Sequence, residues 1–110
     1  MNDFNILLTT RFKKEIKRLL KKYPSLEKEF SELVSQLEKN HQIGTTLANN
    51  CYKIRLAIAS KGKGKSGGAR IITYLYCLEA TVYLLTIYDK SEIPNINDKE
   101  INKMVEELDL

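Results

Sequence analysis

The 110-residue sequence predicts an α+β fold, in which a helical hairpin packs on one face of a small, mainly antiparallel, twisted sheet. Apolar residues recur with helical spacing near the N-terminus and again near the C-terminus, and three successive apolar segments of strand composition lie between them. The length suits one hydrophobic core, and the chain shows no internal repeat and no low-complexity linker. We therefore expect a single domain over residues 1–110 with the element order β-α-α-β-β-β-α and a C-terminal helix.

A short apolar segment near the N-terminus predicts the first strand. Its apolar residues are Phe4, Ile6, Leu7 and Leu8. Thr9 or Thr10 follows directly, and the hydroxyl of either can accept a hydrogen bond from the free N–H groups at the start of a helix. We expect this strand to join the sheet and to lead straight into the first helix.

Two amphipathic helices follow. Over residues 11–23 the apolar positions are three and four apart, and lysines fill the opposite side. Pro24 ends this helix, and Ser25 can cap a second one over residues 26–39, whose apolar residues have the same spacing. The two apolar stripes need a surface to cover, which predicts that the helical hairpin packs on the sheet.

Three apolar segments in the middle of the chain have strand composition: residues 51–59, 69–77 and 81–88. A loop rich in lysine and glycine, residues 60–68, joins the first two, and only three residues join the last two. The segments therefore predict an antiparallel meander. Asn97 or Asp98 can then cap a final acidic helix over residues 99–108.

Residues 40–50, before the meander, contain glycine, threonine and asparagine and predict an irregular connection. His41 lies there without a second His or a Cys nearby, so we expect an exposed structural residue and no metal site. Cys51 and Cys77 are too few for a disulfide scaffold and predict reduced packing residues of an intracellular protein. The N-terminus lacks a signal peptide, and no apolar run approaches the roughly 20 residues of a membrane span. We expect a cytoplasmic protein without a membrane partner.

The formal net charge of +4 is unevenly distributed. Residues 1–50 carry nine Lys/Arg and six Asp/Glu, residues 51–90 carry seven and two, and residues 91–110 carry two and six. A basic sheet followed by an acidic C-terminal segment suggests an anionic partner that meets one face of the molecule.

Strand alternation predicts that cations collect on one face of the sheet. In the first segment of the meander, Lys53 and Arg55 point to the side of the strand away from its apolar residues, which must face the core. In the next segment, Arg70 and Tyr74 point to the same side of their strand. If hairpin partners have residue numbers that sum to an odd number, as when Arg55 lies opposite Ile72, these four residues share the open face. A shift by one residue would turn the Arg70 guanidinium towards the helices at a high cost, so the first register is favoured.

In the last strand, alternation places Thr86, Tyr88 and Lys90 on one side. Several cations around one groove repel one another unless an anion occupies it, which favours a binding site for phosphate. The lysines of the loop are Lys61, Lys63 and Lys65. For these, phosphate binding and a flexible, solvated cationic strip remain equal alternatives.

Arginine, lysine and tyrosine can cleave RNA without a metal or another cofactor. A base takes the proton from a 2′-OH, cations stabilise the charge that develops on the phosphorane, and an acid protonates the leaving 5′-oxygen. A lysine crowded by cations has a lowered pKa and could be the base. Gly64-Lys65-Ser66 ends like a nucleotide-binding P-loop, but Ala59 stands where that motif needs glycine and a strand follows instead of a helix, which argues against a nucleoside triphosphatase.

Three segments carry a resemblance to a known family: Tyr52-Lys-Ile-Arg-Leu56, the run Lys-Gly-Lys-Gly-Lys-x-Gly-Gly-x-Arg over residues 61–70, and Tyr83-Leu-Leu-Thr-Ile-Tyr-Asp-Lys-Ser-Glu92. The sequence resembles toxins of the RelE/ParE superfamily, closest to the RelE and HigB type, over almost the whole chain. The resemblance implies a RelE-like fold and a toxin of a type II toxin–antitoxin system. Such toxins are ribosome-dependent mRNA interferases, endoribonucleases that cut mRNA in the ribosomal A site. Their implied partners are the ribosome, mRNA and a cognate antitoxin, expected to be a helix-turn-helix protein that binds DNA.

The resemblance also assigns roles to residues. Lys53 and Arg55 match paired basic positions in the second predicted strand, Arg70 matches the arginine that begins the third, and Lys90 matches a basic residue after the fourth. We therefore expect these catalytic residues: Arg55, Arg70, Lys90, Tyr74 and Tyr88. The expected RNA-binding residues are Lys53, Lys61, Lys63 and Lys65.

The sequence departs from the RelE pattern near its end. Ser91 stands where a catalytic arginine would follow, and Ile96-Asn97 stand where a C-terminal catalytic tyrosine would be expected. Either the remaining tyrosines and lysines take these roles, or the enzyme is slower or inactive. The alternatives are a ParE-like toxin that poisons DNA gyrase and a non-catalytic RNA-binding or regulatory module.

Overall fold

A computed structural model of the protein describes residues 3–62 and 67–110, which form three helices and five strands. The elements are β1 (Asn5–Leu8), α1 (Thr10–Lys22), α2 (Leu26–Lys39), β2 (Thr45–Thr46), β3 (Cys51–Leu56), β4 (Ala69–Tyr76), β5 (Thr81–Asp89) and α3 (Asp98–Glu106). The strands form one sheet in the order β1-β5-β4-β3-β2, with β1 parallel to β5 and the other pairs antiparallel. The predicted α+β class and the order of the seven predicted elements are confirmed, and β2 is an addition.

The start of α1 is fixed by Thr9, one of the two predicted caps. Its Oγ1 accepts a hydrogen bond from the backbone N–H of Phe12 at 3.1 Å and lies 3.1 Å from the carbonyl oxygen of Leu84, to which it donates. The same hydroxyl therefore caps the helix and ties it to β5.

The expected capping role of Ser25 is wrong. Ser25 has helical backbone angles and its side chain caps no N–H group of α2. Its Oγ donates to Oε1 of Glu29 at 3.1 Å and accepts from the backbone N–H of Ser60 at 2.9 Å. This side chain thus joins the start of α2 to a 3₁₀ turn, Ala59–Lys61, which follows β3.

The irregular connection predicted for residues 40–50 contains β2, which pairs with β3. Asn49 and Asn50 both have positive φ angles, 58° and 61°, as the central residues of a type I′ hairpin turn require. The backbone N–H of Leu47 donates to the carbonyl of Cys51 at 2.7 Å beside this turn. His41 is half-buried and its ring stacks on Phe4 with centroids 3.9 Å apart, so the expected exposed position is wrong.

Two cores lie on opposite sides of the sheet. The larger one lies under α1 and α2 and includes Phe12, Leu19, Leu26, Leu37, Ile54, Ile71, Val82, Leu84 and Ile87. The smaller one lies under α3 and consists of Cys51, Ile72, Leu85, Tyr88, Ile96, Ile101 and Met104. The helical hairpin covers one face as predicted, and α3 covers part of the other face, which leaves that face partly open as predicted.

The strand registers determine which side chains share a face. In the β3–β4 hairpin Arg55 pairs with Arg70 and Lys53 with Ile72, so the residue numbers of partners sum to an odd number as predicted. The partner of Arg55 is two residues before Ile72, which the sequence analysis used as its example. Between β4 and β5 the register shifts after Ile72, which leaves Leu85 as an extra residue in a β-bulge.

Cys51 is buried in the smaller core and is not in a disulfide, as predicted. Burial, with a smaller contribution from the nearby carboxylate of Asp98, raises the pKa of the Cys51 thiol to about 11. Cys77 is also free but is exposed in the turn between β4 and β5, so its expected packing role is wrong. In the described part of the chain, each helix is too short or too polar to cross a bilayer.

Candidate functional site

A row of three polar side chains crosses the three inner strands of the sheet near one end of those strands, on the face that α3 partly covers. Arg55 on β3 pairs with Arg70 on β4, and Arg70 pairs with Tyr88 on β5. Directly opposite residues of antiparallel strands have Cα atoms about 4.5–5.5 Å apart and project to the same side. Two guanidinium groups and a phenol therefore lie side by side, and we call them the cation row.

The members of the cation row differ in depth. Arg55 is exposed, whereas Arg70 is only 5% exposed and Tyr88 only 3%. Nη1 of Arg70 donates to the carbonyl oxygen of Ala69 at 3.2 Å. Arg55 is therefore the member of the row that is open to solvent, whereas Arg70 and Tyr88 lie beneath the surface.

Tyr88 has a defined protonation state at neutral pH. Burial raises the pKa of its phenol, and the neighbouring positive charge of Arg70 offsets only part of that shift. Tyr88 therefore remains a protonated phenol under ordinary conditions, so it can donate a proton but is not a base.

Lys53 and Lys90 flank the cation row. Nζ of Lys90 donates to the carbonyl oxygen of Pro94 at 2.9 Å, and Nζ of Lys53 donates to Oδ1 of Asn95 at 3.0 Å. These two contacts hold the segment between β5 and α3 across the sheet face. Both acceptors are neutral, and in residues 3–62 and 67–110 no carboxylate lies within 4.0 Å of the charged atoms of Lys53, Arg55 or Lys90. These three positive charges are therefore not neutralised within the described chain.

Tyr74 lies on the same face as the cation row but is not brought close to it. It is four residues from Arg70 along β4, a distance of about 13 Å at the rise of a strand. Ile72, between them, is buried under α3. The Tyr74 ring instead stacks with that of Tyr76, with centroids 6.5 Å apart.

Of the three loop lysines, the structure describes Lys61. Lys63 and Lys65 lie outside the described residues. The side chain of Lys61 is only 6% exposed, and its Nζ forms an ion pair and hydrogen bond with Oδ1 of Asp89. The expectation of a solvated or phosphate-facing ammonium at Lys61 is wrong, because a buried carboxylate binds that ammonium.

Asp89 is a structural residue that the sequence analysis did not identify. Its carboxylate is fully buried and accepts hydrogen bonds from the Tyr23 hydroxyl at 2.6 Å, from the Ser91 hydroxyl at 2.7 Å and from the Ser91 N–H at 2.9 Å. Burial alone would raise the pKa of Asp89, but the bonds from Lys61, Tyr23 and Ser91 outweigh burial and hold that pKa well below its usual range. A lone acid at the end of a strand, within a lysine-rich region, was the signal that could have indicated this ion pair.

The described residues contain no group of three or more His, Cys, Asp or Glu side chains that could hold a metal ion. What the face offers chemically is a set of fixed positive charges beside a protonated phenol. Such a set can bind a phosphodiester and stabilise additional negative charge on it.

The family comparison identifies relatives of the whole fold. The model of the RelE toxin family, described as the RelE toxin of the RelE/RelB toxin–antitoxin system, matches residues 8–108.

Solved structures give the same result for the fold. The isolated RelE toxin of E. coli is 14% identical with a TM-score of 0.61, and the match covers 96% of this chain and 98% of that chain. The intact E. coli RelBE toxin–antitoxin complex contains a chain that is 15% identical with a TM-score of 0.61, covering 78% of this chain and 95% of that one. A metal-bound toxin from Helicobacter pylori is 20% identical with a TM-score of 0.53, covering 82% and 98%. At these identities the likeness concerns the fold alone.

Proposed function

Because the chain belongs to the RelE toxin family and is the toxin of a toxin–antitoxin system, we propose that it is a ribosome-dependent endoribonuclease that cuts mRNA in the ribosomal A site. The observation that carries this proposal is the cation row, together with the un-neutralised charges of Arg55, Lys53 and Lys90 beside buried Arg70 and Tyr88. Ribosomes and mRNA are then its targets, and the cytoplasm is its location.

The proposed reaction is attack of a 2′-OH on the adjacent phosphorus. The O–P bond that forms gives a 2′,3′-cyclic phosphate, and the P–O5′ bond that breaks releases a 5′-hydroxyl. Arg55 and Arg70 stabilise the extra negative charge of the phosphorane, and protonated Tyr88 donates to the leaving 5′-oxygen. One of the two lysines Lys53 and Lys90 holds the RNA backbone as an ammonium, and the other, acting as a neutral amine, takes the proton of the 2′-OH.

The positions that depart from the RelE pattern have other contacts here. Ser91 donates both its N–H and its hydroxyl to Asp89, and Ile96 is buried beside Tyr88 in the smaller core. Neither is available for proton transfer or phosphate binding. We therefore assign proton transfer and phosphate binding to Tyr88 and the flanking lysines. We expect a slower enzyme than one with an additional arginine.

We also propose a cognate antitoxin as the physiological partner, expected to be a helix-turn-helix protein that binds DNA. The un-neutralised charges of the site favour an acidic segment of that antitoxin, because such a segment would cover the cation row. The E. coli relative is described in a complex of this general kind, RelBE.

The test is expression of the protein in growing bacteria, with primer extension on translated mRNA. Wild-type protein should arrest growth and produce cleavage within codons of translated transcripts. Arg55→Ala should abolish cleavage, whereas Lys28→Ala, which removes an exposed lysine on α2, should not.

Three other outcomes would contradict the proposal. Growth arrest with intact transcripts would refute cleavage. Arrest with a DNA-damage response would identify a ParE-like gyrase poison. Normal growth at high expression of folded protein would identify a non-catalytic RNA-binding or regulatory module.

A further inference from the structure

A second basic surface lies on α1, on the face of the sheet opposite the cation row. Seven cationic side chains of this helix are exposed: Arg11, Lys13, Lys14, Lys17, Arg18, Lys21 and Lys22. At 100° per residue they occupy about half of the helix circumference, and the buried residues Phe12, Ile16 and Leu19 occupy the other half. We call these seven residues the α1 basic stripe; it is about 16 Å long at the helical rise.

The charge of the stripe is largely un-neutralised. Arg18 and Lys22 pair with Glu92 at 2.7 and 3.5 Å. Among the residues that the structure describes, the other five members have no ion-pair partner. Glu15 is the single acid of α1, and its Oε1 accepts hydrogen bonds from the Thr86 hydroxyl at 2.8 Å and from the Ile87 N–H at 3.2 Å. Its carboxylate therefore binds β5 and forms no ion pair with the stripe.

The composition of the stripe determines which partner it suits. It contains no exposed apolar side chain that could enter a lipid bilayer or form the centre of a protein interface. It also has no exposed aromatic ring on which an unpaired base could stack, since Phe12 and Tyr23 are buried. What remains is an array of positive charges along one helix, which suits the phosphate backbone of a nucleic acid whose bases are paired inside a helix.

We infer that the α1 basic stripe is a second RNA-binding surface, one that holds double-helical RNA by its phosphates while the cation row holds a single strand. The two surfaces lie on opposite faces of the sheet, so one nucleotide linkage cannot occupy both. They approach each other at the turn after β5, where Glu92 meets Arg18 and where Lys90 lies two residues away. A ribosomal source for the duplex rests on the proposed function; the binding of duplex RNA does not.

The test compares two triple variants of equal charge. Lys14→Gln/Lys17→Gln/Lys21→Gln removes three charges from the stripe, and Lys28→Gln/Lys39→Gln/Lys103→Gln removes three exposed charges elsewhere, so each lowers the net charge from +4 to +1. Binding of a 16-base-pair RNA hairpin is measured by fluorescence anisotropy across a series of KCl concentrations. The stripe variant should reduce the slope of log K against log salt by about 2–3, since each phosphate contact contributes about 0.9, and should weaken binding at least tenfold. The control variant should change the slope by less than about 1.

Binding of a single-stranded RNA of 12 nucleotides distinguishes the two surfaces. The stripe variant should bind it like the control variant, whereas Arg55→Ala should weaken it and leave the hairpin unaffected. Equal losses of hairpin binding in the two triple variants would overturn the inference. So would displacement of the hairpin by polyglutamate at equal charge concentration, or tighter binding of a DNA duplex of the same sequence. Hairpin binding that persists in a protein unable to cleave mRNA would reject the proposed function alone.

Discussion

Arg55 and Arg70 are paired across β3 and β4 but differ in their exposure to solvent, so the same substitution should affect them differently. Arg55→Ala should leave the free energy of unfolding within about 0.5 kcal/mol of wild type, as is usual for exposed positions, and should abolish cleavage. Arg70→Ala should also abolish cleavage, and because Arg70 is only 5% exposed it should in addition lower the free energy of unfolding by about 1–3 kcal/mol. Urea denaturation and primer extension measure the two effects. Equal stability loss in both variants would contradict the assigned depths.

The buried ion pair between Lys61 and Asp89 gives a second prediction. Lys61→Met would leave the buried carboxylate without its ammonium partner and should lower the free energy of unfolding by about 3–5 kcal/mol. Lys28→Met, at an exposed position, is the matched control and should have little effect. In the double variant Lys61→Met/Asp89→Asn the loss should be smaller, because no charge remains buried. Urea denaturation of the three proteins decides whether this ion pair is part of the fold.

The same carboxylate predicts a pH dependence of stability. Its pKa in the folded protein lies below the usual value of about 3.9 for an unfolded chain, so the unfolded state binds more protons in acid. The contribution of Asp89 to stability is therefore complete at neutral pH and is lost progressively as the pH falls below about 5. Denaturation of Asp89→Asn between pH 7 and pH 3 should show a shallower decline than wild type; parallel curves would contradict the assignment.

The two thiols should react very differently. With a pKa of about 11, roughly one Cys51 side chain in a thousand is a thiolate at pH 8, and the group is also buried. Cys77 is exposed. A thiol reagent such as DTNB should therefore label one cysteine per native chain quickly and the second only after unfolding. Cys77→Ser should remove the fast reaction, and two fast thiols in wild type would show that Cys51 is accessible.

At the scale of the element, the turn between β2 and β3 depends on the left-handed backbone of Asn50, where φ is 61°. Asn50→Ala should lower the free energy of unfolding by about 1 kcal/mol, because a Cβ-bearing residue without a local side-chain hydrogen bond is disfavoured there. Asn50→Gly should leave stability unchanged or slightly higher. Urea denaturation measures both; equal effects of Ala and Gly would contradict the type I′ geometry.

How much of each element could be predicted depended on whether a periodic signal existed. Residues 26–39 repeat apolar positions with helical spacing, and the predicted bounds of α2 agree with the structure. The two residues of β2 are too few to show a period, although Asn49-Asn50 is a recognisable turn signal. Ser25 has the composition of a cap, but its local backbone was decided by contacts with Ser60, which is 35 positions away.

The candidate site shows the same limit. Alternation along β3 and β4 was sufficient to place Arg55 and Arg70 on one face. The separation of Tyr74 from Arg70, about 13 Å, also follows from four residues of strand rise. Alternation could not show that Ile72, between them, is buried under α3. Nor could it show that Lys61 turns inward, because the loop that contains it has no period and its partner comes from β5. Local pattern predicts faces, whereas long-range packing decides which residues on a face meet.

At the scale of the whole molecule, the sheet separates two basic surfaces, for which we propose different forms of RNA as ligands. The cation row combines arginines with a phenol and is partly covered by α3, which fits the proposed chemistry on a single linkage. The α1 basic stripe is exposed along one helix, which fits the proposed attachment to a duplex backbone. Attachment and cleavage should therefore be separable by mutation, which a protein with one continuous basic surface would not permit.

The parallel pairing of β1 with β5 has a consequence for the timing of biosynthesis. Asn5 pairs with Thr81 and Leu8 with Leu84, so β1 is synthesised first but can join the sheet only after β5 has been synthesised. A nascent chain that ends before Thr81 can form the helical hairpin and the β3–β4 ribbon, but its first strand has no neighbour. Tyr88 and Lys90 also emerge late. Any activity that depends on the cation row is therefore postponed until residues 81–90 have been synthesised and can pair with the rest of the sheet.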